Sequence, residues 1–221
     1  MRRMATTPIT EEYLEAIYVL SDAKRAVRGA RLAEVLRVSQ PTVTATLKRL
    51  MRDGLIEYGE QRTVRLTGLG RTLATNLMRR HRIVECWLTD VLGMGWVESD
   101  AEAHRLEHAL SEEIVEILNR QLGYPSTCPH GNPIPGNPSA NSEAWKPLAG
   151  KAAGDNFTVM CVTEPVESAQ QILEFADVRG LRPGARGILL DDAPLSGALM
   201  VQLGERVISI SPHIAANILV L

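Results

Sequence analysis

The chain has 221 residues, which is enough for two domains or three small ones. Hydrophobic residues make up 45% of it and charged residues 23%, a composition that is ordinary for a globular protein. No apolar run approaches the length that spans a membrane, and the N-terminal stretch MRRMATTPIT lacks the apolar core of a secretory signal. The three cysteines, Cys86, Cys128 and Cys161, are too few and too scattered for a disulfide framework. These features argue against a membrane protein or a disulfide-rich secreted protein, and we expect a cytoplasmic protein with no membrane partner.

Charge is divided unevenly along the chain, although the net charge is only −2. Residues 1–82 carry 16 Lys and Arg against 8 Asp and Glu, whereas residues 83–221 carry 8 against 18. A basic N-terminal part joined to an acidic remainder is typical of a protein whose N-terminal part binds an anionic partner. Nucleic acid is the partner that this distribution favours.

Three helices are predicted in the basic part. The first begins near Thr7 or Thr10, and the second covers residues 30–36. Ser39 is a natural N-cap for the third helix, whose apolar residues recur at helical spacing and form one buried face. The opposite face offers short hydroxyl groups and then cations, which suit base edges and phosphates. The residues of this face are Thr42, Thr44, Thr46, Lys48 and Arg49.

Two short strands, residues 55–58 and 63–66, are predicted to flank the turn formed by residues 59–62. A hairpin that follows a helix-turn-helix is the wing of a winged-helix domain, and Arg62 at its tip could reach a phosphate or the minor groove. The helix-turn-helix pattern, the hairpin and the positive charge together predict a DNA-binding domain over residues 1–70.

A helix is also predicted over residues 99–122. At helical pitch, His104, Glu107 and His108 would share one face, where two imidazoles and a carboxylate could bind a divalent metal with a fourth ligand from elsewhere. An apolar stripe on the same helix requires a packing partner. A solvated polar face is the alternative interpretation of these three residues, and this segment alone does not decide between the two.

A long helix, from about residue 68 to residue 92, carries His81 and Glu85 one turn apart. The apolar side chains around Trp87 are more than one helix can bury by itself. This helix and the helix at 99–122 therefore predict a helical dimerisation domain over residues 71–123. Packing within one chain is the alternative.

The segment 124–150 is rich in Pro, Gly, Asn and Ser and is predicted to be a linker or an extended loop. It contains Cys128 and His130, a weak signal for metal binding, and no second Cys/His pair follows to indicate a zinc finger. A helix is predicted at 167–175, and five aliphatic runs between turn signals predict a small β barrel over residues 151–221. These runs are residues 157–162, 186–190, 199–203, 207–210 and 218–221.

Several motifs occur together along the chain: ITEEYLEAIYVL, VSQPTVTATLKRL, DGLIEYGE, VRLTGLGR, RRHRIVECWL, EAHRLEHALS and CPHGNPIPG. In these motifs and their order the chain resembles the DtxR/MntR family of metal-dependent repressors over nearly its full length. The resemblance implies a mainly α protein with a small β domain: a winged helix-turn-helix head, a helical dimerisation domain and a C-terminal SH3-like (FeoA-like) barrel. It also implies a homodimer that binds double-stranded DNA at a palindromic operator, two metal sites per subunit and no enzymatic activity.

Carried over position by position, the resemblance implies a primary metal site of Glu12, His104, Glu107 and His108. Glu15 matches a further acidic ligand of the manganese-sensing branch, although acids near a helix N-terminus also suit the helix dipole. Family members have Met or Asp at the position of Glu12 and Cys or Glu at that of His104, so both are departures. Carboxylates and imidazoles without sulfur favour Mn²⁺, and Fe²⁺ also fits.

The ancillary site that the resemblance implies combines residues of the long helix and the loop. These residues are His81, Glu85, Cys128 and His130. The C-terminal domain would add a ligand, either Glu167 with Gln170 or the competitor Glu164, and Asp100 stands where some members have a histidine. The positions that match DNA contacts are Ser39, Gln40, Pro41, Thr42, Thr44, Ala45 and Thr46.

A metal bound both by Glu12 of the head and by the dimerisation domain would fix the two heads at the spacing of successive major grooves, about 34 Å. The predicted function is therefore metal-activated transcriptional regulation of metal-homeostasis genes. One alternative is a winged-helix regulator that senses an organic ligand, or oxidation of Cys86 and Cys128, with the His/Glu clusters purely structural. A metallohydrolase is a second alternative, but it would leave the basic head unexplained.

Overall fold

The computed structural model describes residues 6–22, 26–138, 140–165, 168–191 and 197–221, and for Asp22 it describes the backbone alone. The chain divides into two compact units. The first unit contains the residues up to Arg80 together with Pro165, and the second contains His81–Glu164 and Ser168–Leu221. Within the described ranges, no helix combines the length and the apolar character that a membrane crossing requires.

The first unit is built from helices and one short hairpin. Helix α1 spans Pro8–Asp22, α2 Gly29–Val35, α3 Gln40–Arg52, strand β1 Ile56–Tyr58 and strand β2 Val64–Leu66. Helix α4, Gly68–Asp90, begins directly after β2. Aliphatic side chains from all of these elements form one core, which includes Leu14, Ile17, Leu32, Leu50 and Ala74.

Helix α3 confirms the predicted start and the predicted buried face. The Ser39 side chain caps the helix by accepting a hydrogen bond from the backbone N–H of Thr42 at 3.3 Å. Val43, Leu47 and Leu50 are buried in the core of the first unit. The helix is therefore held by its apolar face, and the opposite face is presented outward.

The predicted wing is confirmed as an antiparallel hairpin in which Tyr58 lies opposite Val64. In its turn, Gln61 and Arg62 have φ angles of 52° and 59°, in the left-handed region that non-glycine residues adopt only in tight turns. The Nη2 of Arg28 donates to Oε1 of Gln61 at 3.0 Å. This contact ties the hairpin tip to the start of α2.

The prediction of one helix over residues 99–122 is wrong. The structure has two helices in this region, α5 at Trp96–Leu106 and α6 at Glu112–Gln121, with a turn at residues 107–110 between them. Ser111 is the N-cap of α6, and its hydroxyl accepts a hydrogen bond from a backbone N–H in the first turn of α6 at 3.3 Å. A serine that caps a new helix competes with continuation of the preceding one.

The break has a sequence signal, but a stronger periodic signal obscures it. Ser111 is followed by Glu112 and Glu113, whose negative charges favour the first turn of a helix. The apolar spacing continues across the break, and periodicity alone therefore predicts one helix. As a consequence, Glu107 and His108 follow the end of a helix instead of lying along its face.

The C-terminal part combines an antiparallel sheet with α7 (Ala169–Arg179) and the short α8 (Pro212–Ala215). Its strands are β3 Lys146–Pro147, β4 Asn156–Val162, β5 Arg186–Asp191, β6 Leu199–Leu203, β7 Arg206–Ile210 and β8 Ile218–Val220. The strand order is β3-β8-β4-β5-β6-β7, and the apolar side of α7 packs into the core of this sheet. The five predicted strands are confirmed to within one residue, whereas the helix predicted at 167–175 continues to Arg179.

The segment predicted as a linker, residues 124–150, is largely irregular, and its first part is packed, with Cys128, His130 and Asn132 buried. The backbone N–H of Val162 in β4 donates to the carbonyl of His130 at 2.8 Å. The side chains of Asn119 in α6 and Asn137 exchange two hydrogen bonds, 2.9 and 2.7 Å long. The segment is therefore held between α6 and the sheet, and this packing places its polar residues next to those of other elements.

If Ser111 starts α6, then Ser111→Ala removes an N-cap and should lower the free energy of unfolding by about 1 kcal/mol. Ser111→Asn keeps a side-chain oxygen at the cap and should preserve the stability of the wild-type protein. Chemical denaturation in the presence of a chelator measures both variants without any contribution from metal binding. Equal stability of the alanine variant and the wild-type protein would contradict the capping role.

Candidate metal centre

The described residues contain three groups of potential metal ligands, all in the second unit, and two of these groups share no residue. The Cys128 cluster consists of Glu85, Cys128, His130 and Glu164. The His104 cluster consists of His81, His104 and Glu107. Within each cluster, one ligand atom from every residue lies within 4.8 Å of the others. Acidic groups that converge so closely away from water require positive charge between them, which either protons or a cation can supply.

The Cys128 cluster takes its residues from three separate segments. Glu85 lies on α4, Cys128 and His130 lie on the loop before β3, and Glu164 follows the end of β4. The hydrogen bond from Val162 to His130 holds this loop against β4. The side chains of Glu85 and His130 are fully buried, and only 9% of the Glu164 side chain is exposed.

The partners of His130 determine which ring nitrogen carries a proton. Nε2 lies 2.8 Å from the backbone carbonyl of Trp96, and since a carbonyl can only accept, Nε2 is a donor. Nδ1 lies 2.8 Å from a carboxylate oxygen of Glu85 and 2.8 Å from one of Glu164. In the neutral ring, Nδ1 therefore directs a lone pair into the cluster, as metal-binding histidines do. A backbone carbonyl leaves no sequence signal, so this contact could not be predicted.

Glu85 determines the charge balance of the Cys128 cluster. Neither of its buried oxygens has a partner in hydrogen-bonding geometry among the described residues, although Nδ1 of His130 lies close by. Burial by itself would raise the pKa of Glu85, but the charges of His130 and His81 hold that pKa well below its usual range. Burial would lower the pKa of His130, and the charge of Glu85 instead raises it. The cluster therefore needs a positive charge at its centre.

The donor set of the Cys128 cluster fits a divalent transition metal. A thiolate, an imidazole and two carboxylates are ligands that Zn²⁺, Co²⁺, Fe²⁺ and Mn²⁺ accept. Burial, followed by the charge of Glu85, raises the pKa of the Cys128 thiol to about 12. The sulfur is therefore protonated at neutral pH unless a cation stabilises the thiolate, and metal binding would release that proton.

Glu107 is the centre of the His104 cluster. Its carboxylate is fully buried and lies 2.7 Å from Nδ1 of His81, 3.3 Å from Nδ1 of His104 and 3.4 Å from Nε2 of His108. Burial opposes ionisation, but the contacts with His104 and His81 lower the pKa of Glu107. The imidazoles and carboxylate suit a hard or borderline divalent ion. Because 49% of the His104 side chain is exposed, the cluster is accessible to solvent at that residue.

His81 lies between the two clusters. Its Nδ1 contacts Glu107, and its Nε2 lies 3.5 Å from Asp100 and 3.7 Å from Glu85. The resemblance assigns His81 to the ancillary site, whereas the geometry brings it closest to Glu107. Asp100 also forms a third group of potential ligands with His81 and Glu164. Some family members have a histidine at the position of Asp100, and a carboxylate can serve as a ligand equally well.

Other predicted ligands lie elsewhere. Glu12 and Glu15 belong to α1 in the first unit, where Glu12 is exposed. Glu167 lies outside the described residues. Gln170 is exposed on α7, and its amide donates to a glutamate of the same helix at 2.9 Å. Of the residues considered for the C-terminal ligand, Glu164 is the one that the structure brings into the Cys128 cluster.

The exposed face of α3 carries most of the predicted DNA contacts. These exposed residues are Ser39, Gln40, Pro41, Thr42, Thr44, Ala45 and Lys48. Arg62 is exposed at the hairpin tip, and Arg49 is half-buried, with Nη2 3.5 Å from Oγ1 of Thr10. Thr46 is buried on the same side of the helix as Val43, so its burial disfavours the predicted DNA contact.

Gly131 controls how closely the loop of the Cys128 cluster approaches β4. Its φ is +89°, and a Cβ at this position would lie 2.1 Å from the carbonyl oxygen of Met160. We expect Gly131→Ala to displace the loop from Glu164 and to weaken Co²⁺ binding at the Cys128 cluster about tenfold or more. Gly123→Ala is the control, because Gly123 has a similar φ of +75° but open space around the added Cβ.

Thiolate-to-cobalt absorption during a Co²⁺ titration measures both glycine variants. A Gly131→Ala protein that binds Co²⁺ as tightly as the wild-type protein would show that the close approach to β4 does not build the cluster. Equal losses in the two variants would assign the effect to backbone strain alone.

Three family models together match most of the chain. The N-terminal DNA-binding domain of iron-dependent repressors matches residues 5–64, and the metal-binding and dimerisation domain of iron-dependent repressors matches residues 67–136. The FeoA domain matches residues 146–221. The first match contains α3, β1 and the turn of the hairpin and ends at the first residue of β2, and the second contains all of the His104 cluster and three of the four residues of the Cys128 cluster.

Curated relatives match the same regions. The iron-dependent repressor IdeR of Mycobacterium tuberculosis is 36% identical over 218 residues, which are 94% of this chain and 94% of that protein. The diphtheria toxin repressor of Corynebacterium diphtheriae is 44% identical over 127 residues, which are 58% of this chain and 56% of that protein. These relatives are transcriptional repressors.

Solved structures of manganese regulators share the fold. The manganese regulator SloR has a TM-score of 0.81 at 29% identity, covering 98% of this chain and 99% of that chain. A manganese-dependent transcriptional repressor in complex with manganese has a TM-score of 0.85 at 29% identity, covering 96% and 99%. The matches are to DNA-binding regulators and not to enzymes. In its domains, its sequence identity and its fold, the chain belongs to the DtxR/MntR family of metal-dependent, DNA-binding transcriptional repressors.

Proposed function

We propose that this protein is a homodimeric repressor of metal-homeostasis genes whose affinity for operator DNA rises when a divalent metal binds the His104 cluster. The observation that carries the proposal is the buried carboxylate of Glu107, which three imidazoles surround. This carboxylate lies in the part of the chain that matches the metal-binding and dimerisation domain. Apolar side chains would stabilise the core better than this buried carboxylate with its surrounding charges. The presence of the carboxylate therefore supports a role in cation binding.

The coupling between metal and DNA involves Glu12 in this proposal. The resemblance assigns Glu12 to the primary site, and it is an exposed residue of α1 in the DNA-binding head. Shared coordination by Glu12 and the His104 cluster would restrict the two heads of a dimer to the spacing of successive major grooves, about 34 Å. Metal binding then shifts the population toward the DNA-competent state, because that state offers the more complete set of ligands.

We assign Mn²⁺ to the His104 cluster, with Fe²⁺ as the alternative. The donors there are imidazoles and carboxylates, and Glu15 is a further acid that the manganese-sensing branch uses. His104 supplies an imidazole where some family members have a thiolate, which removes a preference for softer ions. The Cys128 cluster would be the second metal site of each subunit. The names of the relatives include both iron and manganese and therefore favour neither metal.

Exposed apolar side chains in the second unit support the dimer. Val91, Leu92, Ile114 and Ile117 are each exposed by 44–55% and lie within the match to the dimerisation domain. Apolar side chains that stay exposed in this way mark protein–protein contacts. A two-fold symmetric dimer presents two copies of α3 to the half-sites of a palindromic operator. Because the proposed partner is chromosomal DNA, we place the action of the protein in the cytoplasm.

The state of the thiols argues against oxidation sensing as the main function. Cys86 and Cys128 are both buried, and burial is the largest cause of the raised pKa of each thiol. A redox-sensing cysteine needs a lowered pKa and access to the oxidant. The thiol of Cys128 fits metal coordination better than reaction with an oxidant.

We expect Mn²⁺ to strengthen operator binding by the wild-type protein roughly 5–150-fold over the chelated protein, which is the usual range of allosteric coupling. Glu107→Gln should remove most of this gain, because it removes the charge that the imidazoles surround. Glu98→Gln, at an exposed glutamate on α5, is the charge-matched control and should respond to Mn²⁺ as the wild-type protein does.

Fluorescence anisotropy of a labelled duplex, selected from random sequences by the Mn²⁺-loaded protein, measures these affinities. Equal affinity of the wild-type protein for the duplex with Mn²⁺ and with chelator would contradict the proposed metal activation. A full Mn²⁺ response in Glu107→Gln would instead show that the His104 cluster is not the activating site.

A further inference from the structure

Asn132 lies beside the Cys128 cluster and uses its whole side chain in polar contacts. It is buried, with 6% exposure. Its Nδ2 donates to Oε1 of Glu164 at 2.8 Å and to the carbonyl of Val162 at 3.1 Å. Its Oδ1 accepts a hydrogen bond from the Cys161 thiol at 3.2 Å. The side chain therefore links the loop to β4 and to one of the candidate ligands.

The chemistry of its partners fixes the orientation of this amide. The Val162 carbonyl can only accept, so the group that faces it must be the NH₂. Burial raises the pKa of the Cys161 thiol, which therefore keeps its proton and donates to Oδ1. The flipped amide would place the carbonyl oxygens of Asn132 and Val162 together without a proton between them. The NH₂ therefore faces Glu164.

The oxygen of Glu164 that Asn132 holds is the one that faces the cluster. Oε1 lies 2.8 Å from Nδ1 of His130 and 3.9 Å from Sγ of Cys128. The Nδ2 of Asn132 also lies 3.9 Å from that sulfur. One amide group thus reaches two of the four candidate ligands.

Main-chain atoms close the turn of the loop, whereas the side chain of Asn132 links the loop to β4. The backbone N–H of Cys128 donates to the backbone carbonyl of Asn132 at 2.9 Å, which closes the turn through main-chain atoms. The side chain of Asn137 ties a later part of the loop to Asn119 and to the carbonyl of Pro125. The backbone hydrogen bond therefore closes the turn, and the amide of Asn132 contacts Glu164.

We propose that Asn132 is a positioning residue of the Cys128 cluster, which aims Oε1 of Glu164 at a bound cation and stabilises the Cys128 thiolate through an N–H···S contact. The inference rests on the proposed function, because it requires the cluster to bind metal. A carboxylate held in one rotamer before the cation arrives loses less conformational freedom on binding. Hydrogen bonds to ligating groups also fix their direction, and loss of such a partner typically weakens metal affinity about 10–100-fold.

Co²⁺ titration of the full chain tests this inference, because thiolate-to-cobalt absorption reports ligation by Cys128 and is silent for the sulfur-free His104 cluster. We expect Asn132→Ala to weaken the Co²⁺ affinity read from this absorption about 10–100-fold. Asn137→Ala is the matched control: it removes an amide from the same loop, but one whose hydrogen bonds go to Asn119 and Pro125. It should bind Co²⁺ as the wild-type protein does.

Two further variants separate positioning from folding. Asn132→Leu has a similar volume and donates no hydrogen bond, so it should lose the same affinity even if Asn132→Ala does not fold. In a double-mutant cycle, Asn132→Ala should cost less affinity in a Glu164→Ala background than in the wild-type protein, because its effect passes through Glu164.

Each contrary outcome overturns a different claim. Wild-type Co²⁺ affinity in Asn132→Leu, equal losses in Asn132→Ala and Asn137→Ala, or full additivity in the cycle would overturn the positioning role and leave the metal site standing. A wild-type protein without any thiolate-to-cobalt absorption would overturn the metal site itself, and the inference with it.

Discussion

Two buried carboxylates, those of Glu85 and Glu107, impose the main constraint on the second unit. Both are fully excluded from solvent, and the groups that face them are imidazoles. An uncompensated buried charge costs about 3–5 kcal/mol, so these imidazoles must stay in place for the unit to be stable. Protons on the imidazoles can supply the positive charge, and so can a divalent cation that displaces those protons. Metal binding thus replaces protons with a divalent cation as the positive charge that balances the two carboxylates, and it does not require a new fold.

The spacing of the two clusters follows from local backbone structure. His81, in the His104 cluster, and Glu85, in the Cys128 cluster, lie one turn apart on α4. The helical repeat therefore sets the distance between the two clusters. Glu107 is the residue that ends α5, and its buried carboxylate lies between His104 of the same helix and His81 of α4. The loop before β3 then brings Cys128 to Glu85, on the face of α4 that also carries His81. One helix therefore positions both clusters, and its His81 lies 2.7 Å from Glu107 and 3.7 Å from Glu85.

The head and the C-terminal sheet could be predicted well, because local signals determine them. Ser39 caps α3, apolar spacing buries one side of it, and turn residues separate the strands. The centre of the protein could be predicted only in part. The helix break at Ser111 depends on competition between a helix cap and an apolar stripe that continues past it. Thr46 is buried, although its hydroxyl group suggested a DNA contact. The choice of Glu164 and the partners of His130 arise from contacts between distant segments, which spacing along the chain does not reveal.

The most direct test of the account is an anomalous-scattering map of crystals grown with Mn²⁺ and recorded at the manganese edge. We expect two peaks in each subunit. One peak should lie among His81, His104 and Glu107, and the other should lie among Glu85, Cys128, His130 and Glu164. A map without a peak at either position, from crystals in which these side chains keep their present arrangement, would contradict the claim that the buried carboxylates serve to bind metal.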